Sequence, residues 1–381
     1  MEEALQQLEQ FAVNTDDIGR QNLRTRLRRL ADSTECVITT IDRIGHRHLE
    51  CAAIKVGCDL GLFRLLVATQ DAVSVVELAQ KTGAEADFMS RLMRYIAGLG
   101  GVDEVVKDVY LANHITNNLA DDLSFPGISH YFETCGPLHQ SFPGWLQKNG
   151  YKTPADASHT VFQDAFRTNL SIRPWISQAP LNMGYLVDYV KLRGPPSPSW
   201  LTVYPVEGQT TEWDASRPVF IELGGKTGHQ AAQFKLKYPD VRGRVIWQDA
   251  HPSLDMAPSM PGVEKLAHSI FESPPVKGAK FYFLSRVFHN NTPQKACNLL
   301  QLLKSAMVAG SRLLIDEAVP PETNVDYLAS AIDLTMLEAF AAIERTESQW
   351  RETLEDNGLE LVKVHVYNPS IYESIVEVRL P

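Results

Sequence analysis

No C-x-x-C pair occurs among the five cysteines, Cys36, Cys51, Cys58, Cys135 and Cys297, and an odd count does not close into a disulfide framework. Buried, reduced thiols in a cytoplasmic protein are the expectation. Nowhere do about 18 apolar residues run together, the length that a membrane span requires. The opening segment, Met1-Glu-Glu-Ala-Leu-Gln-Gln-Leu-Glu-Gln10, is acidic and lacks the apolar stretch of a secretory signal. Positive charge is also short: 36 Lys and Arg stand against 46 Asp and Glu, a formal net charge of -10. That balance opposes the phosphate backbone of nucleic acid, so neither nucleic acid nor membrane is an expected partner. Internal repeats and low-complexity tracts are missing as well.

What remains is enough apolar material for more than one core. The 381 residues are 44% hydrophobic, and a chain of this length usually divides into domains. From residue 3 to about 70 the apolar period is helical. Leu5, Leu8 and Phe11 share one face, as do Leu23, Leu27 and Leu30 at i, i+4 and i+7. These stripes precede any candidate sheet. Their apolar faces are expected to pack on the module that follows and on a second subunit, making a homodimer.

Ser74-Val-Val-Glu-Leu-Ala-Gln-Lys-Thr-Gly83 then predicts a helix closed by glycine. Glu85 to Leu99 predicts a second helix, and the stretch to Ala112 a β-hairpin. Helix, helix and wing make a winged-helix pattern. Only Arg91 and Arg94 offer positive charge on its second helix, amid acidic residues, which disfavours DNA readout. Residues 113 to 200 read as helices broken by prolines and rich in aromatics. They suit either a cap over an apolar small-molecule pocket or an ordinary helical core. Gly194-Pro-Pro-Ser-Pro-Ser199 predicts a surface turn.

After Pro218 the period changes. Apolar runs at Val219 to Leu223, Val245 to Trp247, Phe281 to Leu284 and Leu313 to Ile315 alternate with helical segments, which predicts a mostly parallel, doubly wound α/β sheet. Leu359 to Tyr367 and Ser370 to Arg379 predict a terminal antiparallel hairpin. The expected division is therefore 1–115, a helical and winged-helix dimerisation domain; 116–200, a helical cap; and 201–381, a Rossmann-like domain.

The first strand of that domain ends in Gly224-Gly225-x-x-Gly228 and feeds a helix, an arrangement that sets bare backbone against a ligand at the sheet's switch point. Glu222 at the strand end would repel a pyrophosphate and suit a cationic group. Asp249 closes the next strand, where a carboxylate can take two ribose hydroxyls. On these residues alone, adenosylmethionine, another nucleotide and a purely structural loop stay open.

Longer segments carry a resemblance. Phe220-Ile-Glu-Leu-Gly-Gly-Lys-Thr-Gly-His229, Tyr238-Pro-Asp-Val-Arg-Gly-Arg-Val245, Gln248-Asp249, Pro275-Val-Lys-Gly-Ala-Lys-Phe-Tyr282, Arg286-Val-Phe-His289, Gly310-Ser-Arg-Leu-Leu-Ile-Asp-Glu317 and Glu344-Arg-Thr346 resemble, in order, the fungal and plant-type O-methyltransferases. The likeness covers essentially the whole chain. It implies S-adenosyl-L-methionine (SAM) as cofactor, held by Glu222, Gly224, Gly225, Gly228, Asp249, Ser269 and Phe271, and no metal. It also implies His289 as base toward an acceptor hydroxyl, with Glu317 and Glu344 orienting it.

Three departures mark the cofactor segments: Glu222 replaces the family's Asp, Lys226 its third glycine, and Ser269 the Asp of its adenine-contacting segment. The catalytic loop departs further, because His289-Asn-Asn-Thr-Pro293 replaces His-Asp-Trp-Pro-Asp. A related branch, the leporin-type pericyclases of fungal pyridone biosynthesis, keeps SAM without spending its methyl group. The segment from Gly127 to Pro137 resembles the part of that branch that supplies a histidine, here His130, and Arg193 falls near its second cation, with His289 and Asn290 as the loop pair. That branch more often carries Arg or Lys where His289 stands. His130 as a helix cap and Arg193 as a solvated helix-end cation are the plainer alternatives. The resemblance implies an enzyme of fungal secondary metabolism that carries out dehydration, or Diels-Alder, hetero-Diels-Alder or related cyclisation, or both, on a polyketide or 2-pyridone-derived quinone methide. Methylation of a phenol or enol is the alternative, and a catalytically silent binding partner the third reading.

Overall fold

The computed structural model describes residues 2–193, 199–225, 227–250, 254 and 260–381, without the side chain of Asp17. Lys226 and the turn expected at Gly194-Pro-Pro-Ser-Pro-Ser199 lie outside the described residues, apart from Ser199. The chain divides into two compact units: residues 1–141 with 172–194, and residues 142–171 with 195–381. The segment 116–200 is thus shared between them.

The first unit begins with α1 (Glu2–Asn14), α2 (Asp17–Asp32), α3 (Val37–Gly45), α4 (Arg47–Asp59) and α5 (Leu62–Thr69), followed by β1 (Val73–Ser74), α6 (Val75–Thr82) and α7 (Ala86–Gly98). A hairpin of β2 (Asp103–Val106) and β3 (Val109–Leu111) completes the wing, with β3 also pairing β1 at Val73↔Tyr110. A capping box starts α6. Ser74 Oγ accepts from Glu77 N, and the Glu77 carboxylate accepts from Ser74 N at 3.0 Å. Gly83, with φ +74°, ends it. On α7, Met89, Leu92, Met93 and Ile96 recur at i, i+3, i+4 and i+7 and are buried with Leu62, Phe63, Leu66, Leu78 and Tyr110. The winged-helix expectation is met.

One expectation for the N-terminal helices is corrected. None of the described residues of α1, α2 or α3 is buried, and Leu5, Phe11, Leu27, Leu30, Ile38, Ile41 and Ile44 stay exposed. Their stripes do not bury themselves on the module that follows. The thiols differ too: Cys36 is exposed at the N-terminus of α3, where Thr39 and the first turn's N–H groups hold its pKa below the usual value. Only Cys135 is fully buried, and the cysteines are not joined by disulfides.

Further along this unit lie α8 (His114–Ala120), α9 (Ser124–His130), a π-helical turn at Tyr131–Cys135, α12 (Ile172–Ile176) and α13 (Pro180–Arg193). Between the π-turn and α12, α10 (Gly136–Lys148) contains the division between units, and α11 (Val161–Phe166) belongs to the second.

In the second unit a seven-stranded sheet runs β6-β5-β4-β7-β8-β10-β9. The strands are β4 (Pro218–Leu223), β5 (Arg244–Asp249), β6 (Val263–Ala267), β7 (Phe281–Ser285), β8 (Arg312–Ala318), β9 (Glu360–Asn368) and β10 (Glu373–Arg379). β4 through β8 are parallel; β10 pairs antiparallel with β8 and β9. Every residue of β4 is buried, as expected of a strand covered on both faces. The sequence pattern does not reveal β6: at the sheet edge Val-Glu-Lys-Leu-Ala buries nothing fully, so no apolar run marks it.

Adjacent loops at the carboxyl ends of β4 and β7 flank the point where strand order reverses, the crevice in which such sheets take ligands. Beneath it, one face packs Ile221, Ile246, Tyr282, Leu284, Phe288 and Trp350. The other is an aromatic stack. Phe220 lies 4.3 Å from Phe234 at 16°, and Trp200 4.7 Å from Phe283 at 29°. No helix among the described residues is long and apolar enough to cross a membrane. Phe220→Ala should cost about 3–5 kcal/mol, read from urea unfolding, because it empties the centre of this stack. A loss below about 1 kcal/mol would show that the stack is not what holds the sheet's face.

Candidate functional site

The glycine loop is shaped by contacts with its own strands. Gly224, Gly225 and Gly228 have φ of +78°, +83° and +67°. A Cβ on Gly228 would sit 2.6 Å from the Trp247 ring, and one on Gly225 2.6 Å from Glu222 Oε1, so at both positions side-chain-free backbone is obligatory. Trp247 Nε1 donates to Gly224 O at 3.0 Å, tying the loop to β5. Glu222 is only 2% exposed. Its Oε2 accepts from Ala231 N at 2.7 Å, in the first turn of the His229–Lys237 helix, so the carboxyl turns inward and fastens the loop to the helix it feeds. Burial, with the nearby Asp249 and Asp316 charges, pushes its pKa up to about 8 against the pull of those backbone N–H groups.

Asp249 ends β5, half-buried, with Oδ1 accepting from Ala250 N at 2.7 Å. Ser269 and Phe271 follow β6, whose Ala267 pairs with Asp249. Ser269 Oγ accepts from Phe271 N at 3.2 Å, and Lys295 Nζ stands 4.0 Å above the Phe271 ring. The described members of the expected cofactor set therefore follow three neighbouring strands at one end of the sheet.

After β7 the chain turns sharply. Arg286 adopts φ +54°, a left-handed conformation that costs a non-glycine residue. It is held there by Arg286 N donating to Asp316 O at 3.0 Å and by its guanidinium on Glu373. The short helical turn Phe288–Asn290 follows. Glu317, at the carboxyl end of β8, accepts from Phe288 N at 2.7 Å and His289 N at 3.3 Å through one oxygen. His289 Nδ1 lies 3.0 Å from Glu344 Oε1, and the candidate ligand atoms of His289, Glu317 and Glu344 all fall within 4.8 Å of one another.

Burial disfavours the imidazolium, but the two carboxylates outweigh it and raise the His289 pKa above its ordinary value. Glu317 is itself raised, by burial first and then by Glu344. Both glutamates keep an Oε2 that is buried without a hydrogen-bond partner, as is Arg345 Nη1. Arg286 and Arg345 place positive charge beside these carboxylates. Asn290 Nδ2 donates to Arg286 O at 3.2 Å and its Oδ1 accepts from Asn291 at 3.0 Å. It braces the turn.

His130 and Arg193 lie in the first unit. His130 ends α9 and stacks on Tyr189 of α13 at 6.2 Å and 21°. Burial lowers its pKa. Arg193, exposed at the last position of α13, sits one turn beyond Tyr189, and its charge acts on Tyr131.

The structure thus brings His289, Asn290, Glu317 and Glu344 together and adds residues that sequence reasoning had not singled out. Arg286, Asp316, Glu373, Arg345 and Tyr367 form the frame of this cluster. Asp316 is 1% exposed and accepts from Ser285 Oγ and Tyr367 Oη, both at 2.7 Å. The available signal was two successive acids, Asp316 and Glu317, ending a run of apolar strand residues.

The O-methyltransferase domain model matches residues 214–360 and the O-methyltransferase dimerisation domain model residues 44–120. The chain is 33% identical over 365 residues to the O-methyltransferase lepI of Aspergillus flavus, covering 94% of each. It is 30% identical to the demethylsterigmatocystin 6-O-methyltransferase of Aspergillus parasiticus, over 100% of this chain and 98% of that one. Among solved structures, LepI in complex with SAM matches with TM-score 0.89 and 31% identity, covering 99% of this chain and 98% of that chain. A pericyclic reaction enzyme matches with the same values.

The buried Glu222 yields a pH prediction. Its folded pKa lies above the ordinary 4.5, so between about 4.5 and about 8 the folded protein holds a proton that the unfolded chain has released. Stability falls as pH rises through that window. Glu222→Gln keeps an acceptor for Ala231 N and cannot ionise. It should flatten the decline in urea midpoint between about pH 5 and 8, whereas an unchanged profile would show that Glu222 is not the group taking up the proton.

Proposed function

The chain belongs to the O-methyltransferase family, and from that premise we propose that it is a SAM-binding pericyclase. The proposed substrate is a polyketide or 2-pyridone-derived quinone methide of fungal secondary metabolism. Likeness to LepI, solved with SAM, and to a pericyclic reaction enzyme supports it. The observation that carries it is the state of His289. With Nδ1 turned to Glu344 and its pKa raised by two carboxylates, the ring takes up a proton more readily than a free imidazole, and that proton makes Nε2–H a donor. A cycloaddition needs no base; it needs a folded substrate and donors aimed at the carbonyl that gains charge in the transition state.

The cofactor residues fit their expected ligand. Loop backbone at Gly224, Gly225 and Gly228, where Cβ atoms are excluded at two positions, would meet SAM directly. Asp249 would take its ribose, and Ser269 and Phe271 its adenine. Glu222 would act beneath the loop by fixing it to the following helix. When bound, SAM supplies a fixed positive charge, or a transferable methyl group in the alternative reading. Asn290 would hold the His289 turn. The resemblance gives His130 and Arg193 the role of further carbonyl-directed donors.

A second reading, O-methyl transfer to a phenolic or enolic hydroxyl, is favoured by the same triad. His289 without its Nε2 proton is a base, and Glu344 and Glu317 fix its tautomer and its backbone. The two readings separate on that proton, and pH separates them in opposite directions. Donor-driven cyclisation should fall as pH rises through the His289 titration, whereas methyl transfer should rise.

Purified enzyme with SAM and candidate quinone-methide precursors is expected to give cyclised product without stoichiometric adenosylhomocysteine, with turnover about 100-fold lower in His289→Ala. Stoichiometric adenosylhomocysteine with a methylated product would overturn the pericyclase. We also propose a cytoplasmic location and a homodimer, the homodimer supported by the dimerisation domain match and by the exposed apolar faces of α1–α3. Leu27→Glu with Leu30→Glu should lower the sedimenting mass to that of a monomer at micromolar concentration. A wild-type monomer at that concentration would refute the dimer.

A further inference from the structure

The π-turn at Tyr131–Cys135 produces a contact that an α-helix would forbid. At about 100° per residue, positions five apart on an α-helix point about 140° away from each other. A π-turn, bonded from i to i+5, instead stacks residue i+5 over residue i. Here the Gly136 N–H donates to Tyr131 O in that pattern, and Cys135 Sγ comes to 3.7 Å from His130 Nε2. Cys135 is 4% exposed. On the opposite side of the ring, His130 Nδ1 is buried with no hydrogen-bond partner among the described residues.

The imidazole plane is fixed as well. Tyr189 stacks on it, and a Cβ on Gly127, one turn earlier on α9, would come within 3.0 Å of the Tyr189 ring. The missing side chain lets Tyr189 lie flat. One ring nitrogen therefore has a thiol partner, and the other a vacant bonding direction.

We infer that Cys135 is a positioning residue for His130: its thiol donates to Nε2, holds the ring proton on Nδ1, and so presents Nδ1–H to a neutral acceptor such as a ligand carbonyl. The direction follows from donor and acceptor strength. Sulfur is a poor acceptor and an imidazole nitrogen a good one, so S–H···N is a better match than N–H···S. In a neutral imidazole, the bond made by one nitrogen decides which of the two carries the proton. Burial keeps this ring neutral, so the choice is a real one. A buried N–H without an acceptor is costly in the free protein, and a carbonyl delivered by a ligand relieves it. The assignment of a ligand carbonyl rests on the pericyclase reading; the assignment of the tautomer does not.

The test uses the full-length protein with 15N-labelled histidine, the His130 resonances being assigned by their loss in His130→Gln. Wild type should show a protonated Nδ1 and an unprotonated Nε2. Cys135→Ala should shift the ring toward the Nε2–H form, and Cys135→Ser, which restores a donor, should return it. An Nε2–H ring in wild type, or an unshifted ring in Cys135→Ala, would overturn the inference. In the cyclisation assay Cys135→Ala should lower kcat about tenfold with little change in KM and be rescued by Cys135→Ser. If wild type forms no cyclised product the pericyclase reading fails, and the nitrogen spectra still decide the role of Cys135.

Discussion

A carboxylate that accepts two adjacent backbone N–H groups fixes the placement of a loop more firmly than any side-chain contact from that loop could. Glu317 does this for Phe288 and His289. Because β7 and β8 are paired up to Ser285↔Asp316, the acid arrives at the end of one strand just where the chain leaving its neighbour must turn. Arg286 absorbs the turn in its left-handed backbone and anchors it on Glu373. Remove the acid and His289 loses the seat that sets its distance to Glu344. The cost is two buried glutamates, each with an oxygen lacking a partner, which the surrounding cations make tolerable.

The consequence for chemistry is economical. One histidine in this seat has Nδ1 assigned to Glu344, so under the proposed function Nε2 alone would meet a reactant, and the charge of the seat would decide whether that nitrogen carries a proton. Exchanging the Asp and Trp of the family's loop for Asn290 and Asn291 leaves the seat intact, since the asparagines bond to backbone carbonyls of their own turn.

Much of this was legible in the sequence. The parallel core strands announce themselves as apolar runs, the wing as a capped helix pair and hairpin, and the glycine loop as a strand end followed by residues without side chains. Family likeness supplied Glu344, which no local pattern marks as special, and the role of Glu317, which follows Asp316 at the end of an apolar strand run. Features that depend on long-range pairing were not legible. The β6 edge strand carries no period because its faces are half-wet, and the frame of Arg286, Asp316 and Glu373 exists only once three strands lie side by side. The inward turn of Glu222 depends on the helix that its own loop launches. Nor does any residue pattern announce the π-turn, since Tyr131 to Cys135 would be written the same way in an ordinary helix.

The three leading helices carry an implication for how the protein must be handled. They are 13, 16 and 9 residues long, and segments of this length barely hold a helical shape in water when their apolar faces lie bare. Whatever surface covers them lends its binding energy to their order, and mass action then enters. Where that surface is a second copy of the chain, as in the proposed homodimer, dilution acts as a denaturant on these helices, and a melting curve then describes a solution at one concentration and is not a constant of the molecule.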